Sequence, residues 1–348
     1  MLAYDDVWSI EYLNRRLRPL WRQRGRDIAG LLEEGAKNYS WFAKRARAFD
    51  EELTSDLVKS GGPEYAALAT VAYRQAIAAH KLVADVDGTP LLFPKENFSN
   101  GCISTVDVIY PSAPLFLLLN PELLKGMLRP VLDYAALPRW RWPFAPHDLG
   151  QYPLANGQVY GGGERTEEDQ MPVEESGNML ILLGALAHVE GNADFALRYW
   201  PQLVRWAEYL RDKGMDPENQ LSTDDFAGHL AHNTNLSIKA ILGLRAFAEI
   251  ARMGGFPDAA YFVELKPGYA LGGGTSGPMV VPVPNTGQHG YLPDRPEMRS
   301  SLFLLGRGLP AGKDLGIVDM RQIAPTLAAI LGVKLPSAAI GPVDFSVR

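Results

Sequence analysis

The sequence predicts a mainly α protein: an incomplete barrel of helical hairpins followed by a small α/β segment. Three observations carry this. Apolar residues recur at helical spacing in successive stretches between Ile28 and Met253. Long loops rich in aromatic and acidic residues separate those stretches. At Gly254–Gly255 the texture changes to short β-rich runs broken by Gly and Pro.

In chain order, Ile28 to Leu53 carries apolar positions among Lys, Arg and Glu, and an Ala-rich run from Glu64 to Val83 opens after Gly61-Gly62-Pro63, a helix start signal. Asp87-Gly88 marks a turn, and Leu91 to Tyr110 alternates short apolar runs with polar clusters. Further helices are expected at Pro121 to Leu137, Ser176 to Val189, Ala193 to Lys213 and His232 to Met253. Six or seven helices are half of what a closed barrel of six hairpins needs, so inner helix faces are expected to be exposed, or covered by self-association through the open edge. After Phe256, β-rich runs are expected at Tyr261 to Leu265, Met279 to Val283 and Ser301 to Leu305, with one helix at Met320 to Leu331. The expected domains are therefore 1–254 and 255–348.

Composition excludes several classes. With 348 residues, 47% hydrophobic and 21% charged, the chain has the composition of a globular protein of about two domains. A net charge of −6 opposes nucleic-acid binding. No apolar run approaches the roughly 20 residues of a membrane span, and MLAYDDVWSI has no signal-peptide pattern. The lone Cys102 excludes an internal disulfide and a cysteine-based zinc site. The compartment stays open.

The stretch from Trp140 to Asn178 organises the rest. It has no sustained periodicity, yet it is too rich in rings for a disordered segment, and loops this long are usually functional. It holds His147-Asp148, the triple glycine Gly161 to Gly163, and Glu174-Glu175. Its rings and amides (Trp142, Tyr152, Asn156, Tyr160 and Asn178, with His147) are the substrate-binding candidates. The catalytic candidates are Glu174, Glu175, Asp148, Asp224, Asp225, Glu96 and Asp107, because acid–base work needs carboxylates in different environments. Glu174 and Glu175 are expected just ahead of a helix, where the dipole favours the ionised form and so a base or nucleophile. The bland alternative for each acid is a helix cap or a solvated loop charge. Neighbouring acids point apart, so one of each pair is expected in a shared pocket. The triple glycine fits no phosphate-binding fingerprint and is expected to be a flexible loop. His229 and His232, three apart, are expected to be ordinary polar histidines. In the tail, His289 stands between glycines and is a metal-ligand candidate, though one ligand is not a zinc site.

Long strings now carry a resemblance: YRQAIAAHKL from Tyr73, STVDVIYPSAPLFL from Ser104, FAPHDLGQYPLANGQVYGGG from Phe144, QMPVEESGNMLIL from Gln170 and QLSTDDFAGHLAHNTNLSIKAI from Gln220. Tyr4 to about Met253 closely resembles the helical domain of the glutaminase A family. This implies a partial (α/α)6-barrel-like helical hairpin domain, hydrolysis of the L-glutamine amide by loop carboxylates, and no required cofactor. The family's upstream β-rich region and the end of its barrel have no counterpart here, so inactivity through truncation is a further expectation. Residues 256 to 348 instead resemble the C-terminal end of type I phosphodiesterases of the alkaline-phosphatase superfamily, through FPDAAYFVELKPGY, GQHGYLPDRPEM and DMRQIAPTLAAILGV. That resemblance implies zinc at His289, without the nucleophile or the other ligands. The alternatives to a glutaminase are a glycoside hydrolase on the same barrel and a non-catalytic fusion product. A metal-dependent phosphodiesterase comes last. Relatives of both halves imply an extracytoplasmic home. The expected partner is a small molecule, glutamine or a saccharide, with no nucleic acid and no membrane.

Overall fold

The structure is a computed structural model. It describes residues 7–96, 100–223, 228–256, 315, 317–333 and 340–343. The chain forms two compact units, Met1–Tyr261 and Phe262–Arg348.

The first unit is mainly helical. Its helices are α1 (Ile28–Lys37), α2 (Tyr39–Ala78), α3 (Val106–Leu119), α4 (Pro121–Ala135), α5 (Pro172–Glu190), α6 (Asp194–Leu197), α7 (Trp200–Lys213) and α8 (Thr234–Met253). α5 is the centre and packs on α3, α7 and α8. It buries residues around its whole circumference, from Val173 to Leu186, as expected for a helix surrounded by others. The α5–α8 contact is close because small residues line it. A Cβ on Gly184 would stand 2.6 Å from Ala246 Cβ, and one on Gly243 3.1 Å from Gly177 Cα. Gly177 also leaves room for Lys239, whose Cγ would lie 2.8 Å from an added Cβ. Two glycines seven apart on α5 thus bring a lysine of α8 alongside the first turn of α5.

Two small sheets frame the helices, and the sequence reading missed both. β1 (Ile10–Tyr12) and β2 (Arg15–Leu17) pair antiparallel through Leu13 and Asn14, both at positive φ, the backbone of a tight two-residue hairpin. β5 (Leu154–Ala155), from the central loop, adds parallel to β1, giving the order β2-β1-β5. Asn156 fastens this junction: its Oδ1 accepts from Asn14 N at 2.8 Å and its Nδ2 donates to Glu11 Oε1 at 2.9 Å. β3 (His80–Ala84) and β4 (Pro90–Pro94) form a hairpin across the expected Asp87-Gly88 turn.

Several expectations change. The Ala-rich helix ends at Ala78 and not at Val83, because the next residues pair with β4. The Gly61-Gly62-Pro63 break is real, with Gly62 at φ 85°, but the chain stays helical on both sides of it. α3 lies partly where short apolar runs were read, and Pro111 and Pro114 are inside it. α5 starts at Pro172, so Glu174 and Glu175 are inside its first turn and not ahead of it. Ala193 to Lys213 is two helices. On α2 only Ala66 is buried, and Tyr39, Trp41, Leu68 and Val71 are exposed.

In the second unit the described chain includes a 3-10 turn (Met320–Gln322) leading into α9 (Ile323–Ile330), which meets the expected helix. Thr326 Oγ1 accepts from Val343 N at 2.8 Å. The three β-rich runs expected in the tail, and His289, lie outside the described residues.

Candidate active site

The site forms where the N-terminal ends of α3 and α5 meet the central loop. A helix start leaves backbone N–H groups without intrahelical partners, and both starts use loop groups to satisfy them. Val106 N donates to His147 O at 2.8 Å, which sets His147 against the first turn of α3 and its Asp107. Val173 N donates to Gln220 Oε1 at 3.2 Å, and Ala145 N donates to Ser176 Oγ at 3.0 Å, docking α5 on two loops.

The loop itself is a buried polar network. Asp148 is fully buried. Its Oδ1 accepts from Gly150 N at 2.8 Å and Val159 N at 3.1 Å, and its Oδ2 from Tyr160 N at 3.2 Å and His147 Nδ1 at 3.0 Å. Gln158 accepts from His147 N at 2.8 Å and donates to Gln170 Oε1 at 2.7 Å. The triple glycine corrects the expectation of a flexible loop. Gly161 and Gly163 are at positive φ, and a Cβ on Gly162 would lie 2.1 Å from Thr166 Oγ1. It is a tight turn that only glycine fits.

Asp148, Glu174 and Glu175 are buried, which corrects the solvated-charge alternative for these three. Glu174 accepts from Lys239 Nζ at 2.6 Å and from Thr223 N at 2.7 Å, so both its oxygens are committed. Lys239 Nζ also lies 4.7 Å from the centre of the Tyr110 ring. Thr223 Oγ1 donates to Asp107 Oδ2 at 3.1 Å, tying α3 to the same loop. Glu175 is fully buried and accepts from Asn178 Nδ2 at 3.1 Å through Oε2 alone. Among the described residues, Asp107 Oδ1 and Glu175 Oε1 are the two carboxylate oxygens buried without a hydrogen-bond partner, and Asn178 Oδ1 is likewise bare.

Burial then sets the protonation pattern. Desolvation, with Asp107 and Glu174 adding negative potential, pushes Glu175 well above the ordinary carboxylate range. The helix dipole was expected to favour its ionised form; loss of water outweighs it. Burial also raises Asp107, although His147 and Thr223 pull the other way. For His147 burial disfavours the cation, but Asp148, Asp107 and Glu96 outweigh it and hold the imidazole above its ordinary pKa. Its ring is clamped, stacked on Tyr160 at 4.2 Å, with Nε2 3.9 Å from Asp107 Oδ1. Burial and the neighbouring Asp148 raise the Cys102 thiol far out of the range of a nucleophile.

The candidates therefore separate. His147, Asp107, Glu175, Asn178 and Tyr160 converge, with Glu96 beside them: ligand atoms of Glu96, Asp107 and His147 lie within 4.8 Å of one another. Asp148 and Glu174 support the site through saturated bonds. Trp142 donates to Gly163 O at 3.0 Å and stacks parallel to Phe144, and Asn156 is taken by the β1–β2 hairpin. Tyr152 lies under Lys95. Asp224 and Asp225 lie outside the described residues. His229 and His232 pair with Asp169 and Asp216. Sequence reasoning missed Lys239 and Thr223. The signal for Lys239 was a single charge in the apolar run from Leu236 to Leu244, a burial pattern that demands a partner.

Residues 62–268 match the family described as the glutaminase A six helical-hairpin domain. The chain belongs to the glutaminase A family. The match contains all the converging residues and extends past Gly254–Gly255. A relative from Aspergillus oryzae, named glutaminase A, is 37% identical over 69% of this chain and 34% of its own length. A probable glutaminase from Arthroderma benhamiae is 29% identical over 73% of this chain and 35% of its own length. The chain thus spans about a third of the length of the curated relatives it matches. Neither name supports the glycoside hydrolase or non-catalytic alternatives. No helix among the described residues is long and apolar enough to cross a membrane.

Proposed function

We propose that this member of the glutaminase A family hydrolyses the side-chain amide of L-glutamine, with Asp107 as base and Glu175 as acid. The observation that carries this is the pair of buried carboxylate oxygens without partners, on two carboxyls whose pKa values are both raised. Asp107, the more exposed of the two, takes a proton from water, whose oxygen attacks the amide carbon. Glu175, held neutral, gives its proton to the nitrogen as the C–N bond breaks and ammonia leaves. Proton transfer from Asp107 back to Glu175 resets the pair. An acid and a base separated by environment is the usual arrangement for such work at neutral pH. Asp148 fixes the His147 ring beside Asp107, and the interaction with His147 favours the ionised form of that base. Glu174 and Lys239 hold the α5–α8 side of the site.

The test is ammonia release from L-glutamine by the purified chain, compared with Asp107→Asn and Glu175→Gln. Each substitution is expected to lower kcat by about 10²-fold or more. Unchanged rates in both variants, or no ammonia from a wild-type protein with a folded circular dichroism spectrum, would overturn the proposal.

Beyond the family match, which ends at residue 268, the resemblance of Gly287–Met298 and Asp319–Val333 to type I phosphodiesterases supports a separate origin for the tail. Zinc-dependent cleavage of a nitrophenyl phosphodiester, lost in His289→Ala, would give that resemblance a function; its absence leaves the tail without one.

A further inference from the structure

We propose that Glu96, Asp107 and His147 form a binding site for a divalent transition-metal ion of the zinc type. The three side chains come from different segments: the chain two residues past β4, the first turn of α3 and the central loop. One ligand atom from each lies within 4.8 Å of the other two. His147 Nε2 and Asp107 Oδ1 are 3.9 Å apart, too far for a hydrogen bond, and that oxygen has no other hydrogen-bond partner. Two ligands on one zinc ion, each about 2.1 Å from it, stand roughly 3.4 Å apart in a tetrahedron. The His147–Asp107 pair therefore has to close by only about 0.5 Å to share one ion.

The imidazole is already oriented for this. Asp148 accepts from Nδ1 at 3.0 Å and is itself fixed by three backbone N–H groups, leaving Nε2 turned to the carboxylates. A carboxylate behind the histidine is the usual support of a metal-bound imidazole. One nitrogen and two carboxylate oxygens favour zinc over magnesium or calcium, which take oxygen alone. Three protein ligands leave a fourth position open. The alternative trio of Cys102, His147 and Asp148 is poorer, because His147 Nδ1 and Asp148 are bonded to each other and both Asp148 oxygens are saturated. A bound ion removes Asp107 from proton transfer, so it inhibits hydrolysis; that consequence alone rests on the function proposed above.

Titration calorimetry of the full chain with zinc chloride is the test, beside magnesium chloride and the Glu96→Gln, Asp107→Asn, His147→Gln and His232→Gln variants. One zinc per chain is expected at this site, with no magnesium. Affinity is expected to fall at least about ten-fold in each of the first three variants and to hold in the His232 control. No zinc binding by the folded wild type, or binding undiminished in the three variants, overturns the proposal. If those variants do not fold, cobalt(II) on the wild type decides: a visible band of a four-coordinate ion, displaced by equimolar zinc, supports the site, and its absence sinks it. Ammonia release with and without zinc is read separately, so loss of glutaminase activity and loss of metal binding are distinguishable.

Discussion

The central loop and α2 invert the usual relation between regular structure and burial. α2 is 40 residues of helix, yet it buries a single residue, Ala66. The loop from Trp140 to Met171 has almost no regular structure, yet Trp140, Phe144, His147, Asp148 and Leu149 are buried in it. Helical hydrogen bonds are local and survive exposure. A loop is held in the interior only if each buried polar group finds a partner, and the Asp148, Gln158 and Gln170 network supplies them. Order in this loop follows from satisfied polar groups and not from periodicity.

Asp148→Ala attacks that comparison most directly. It strips three backbone N–H groups and a raised-pKa histidine of their shared acceptor. Stability is expected to fall by about 3–5 kcal/mol, read as a lower midpoint in urea unfolding. A loss below about 1 kcal/mol would mean that the loop does not depend on the network.

Glu175→Gln sharpens it through pH. The folded-state pKa of Glu175 is raised well above that of the unfolded chain. Its contribution is thus full at acid pH and is lost as pH rises from the unfolded value through the folded one. Between those two values the unfolded chain must take up a proton to fold. The glutamine variant escapes that cost, so its Tm is expected to exceed the wild type at pH 7 by about 2–4 °C, the effect of roughly 1 kcal/mol. The gain is expected to vanish near pH 4. A gain independent of pH in thermal melts would refute the protonation pattern.

The smallest effect belongs to α2. Leu68, 71% exposed, is expected to tolerate Leu68→Ser within about 0.5 kcal/mol. A large loss in thermal melts would show that this face is covered in solution.

Much of this was legible in sequence, and the exceptions have causes. α4 announced itself through Pro121 at its start and a strong apolar stripe. The loop was legible because rings and acids accumulated without periodicity. α3 was not, because Pro111 and Pro114 break the helix pattern; flanking helices hold it in place. β3 was not, because His80 to Ala84 continues an Ala-rich helical run, and only pairing with Pro90–Pro94 makes it a strand. The upward shift of the Glu175 pKa was not legible, since a helix start is visible in sequence and complete desolvation is not.

The strand β1 carries one more consequence. It lies at Ile10–Tyr12, ahead of the span that matches the family, yet it completes a sheet with β5 inside that span. Asn156 gives both ends of its amide to the same hairpin. A chain begun at residue 62 would keep every site residue and still leave β5 as a bare edge, with both ends of the Asn156 amide to be satisfied by water. The limits of the matched family span and the limits of this sheet do not coincide in this protein.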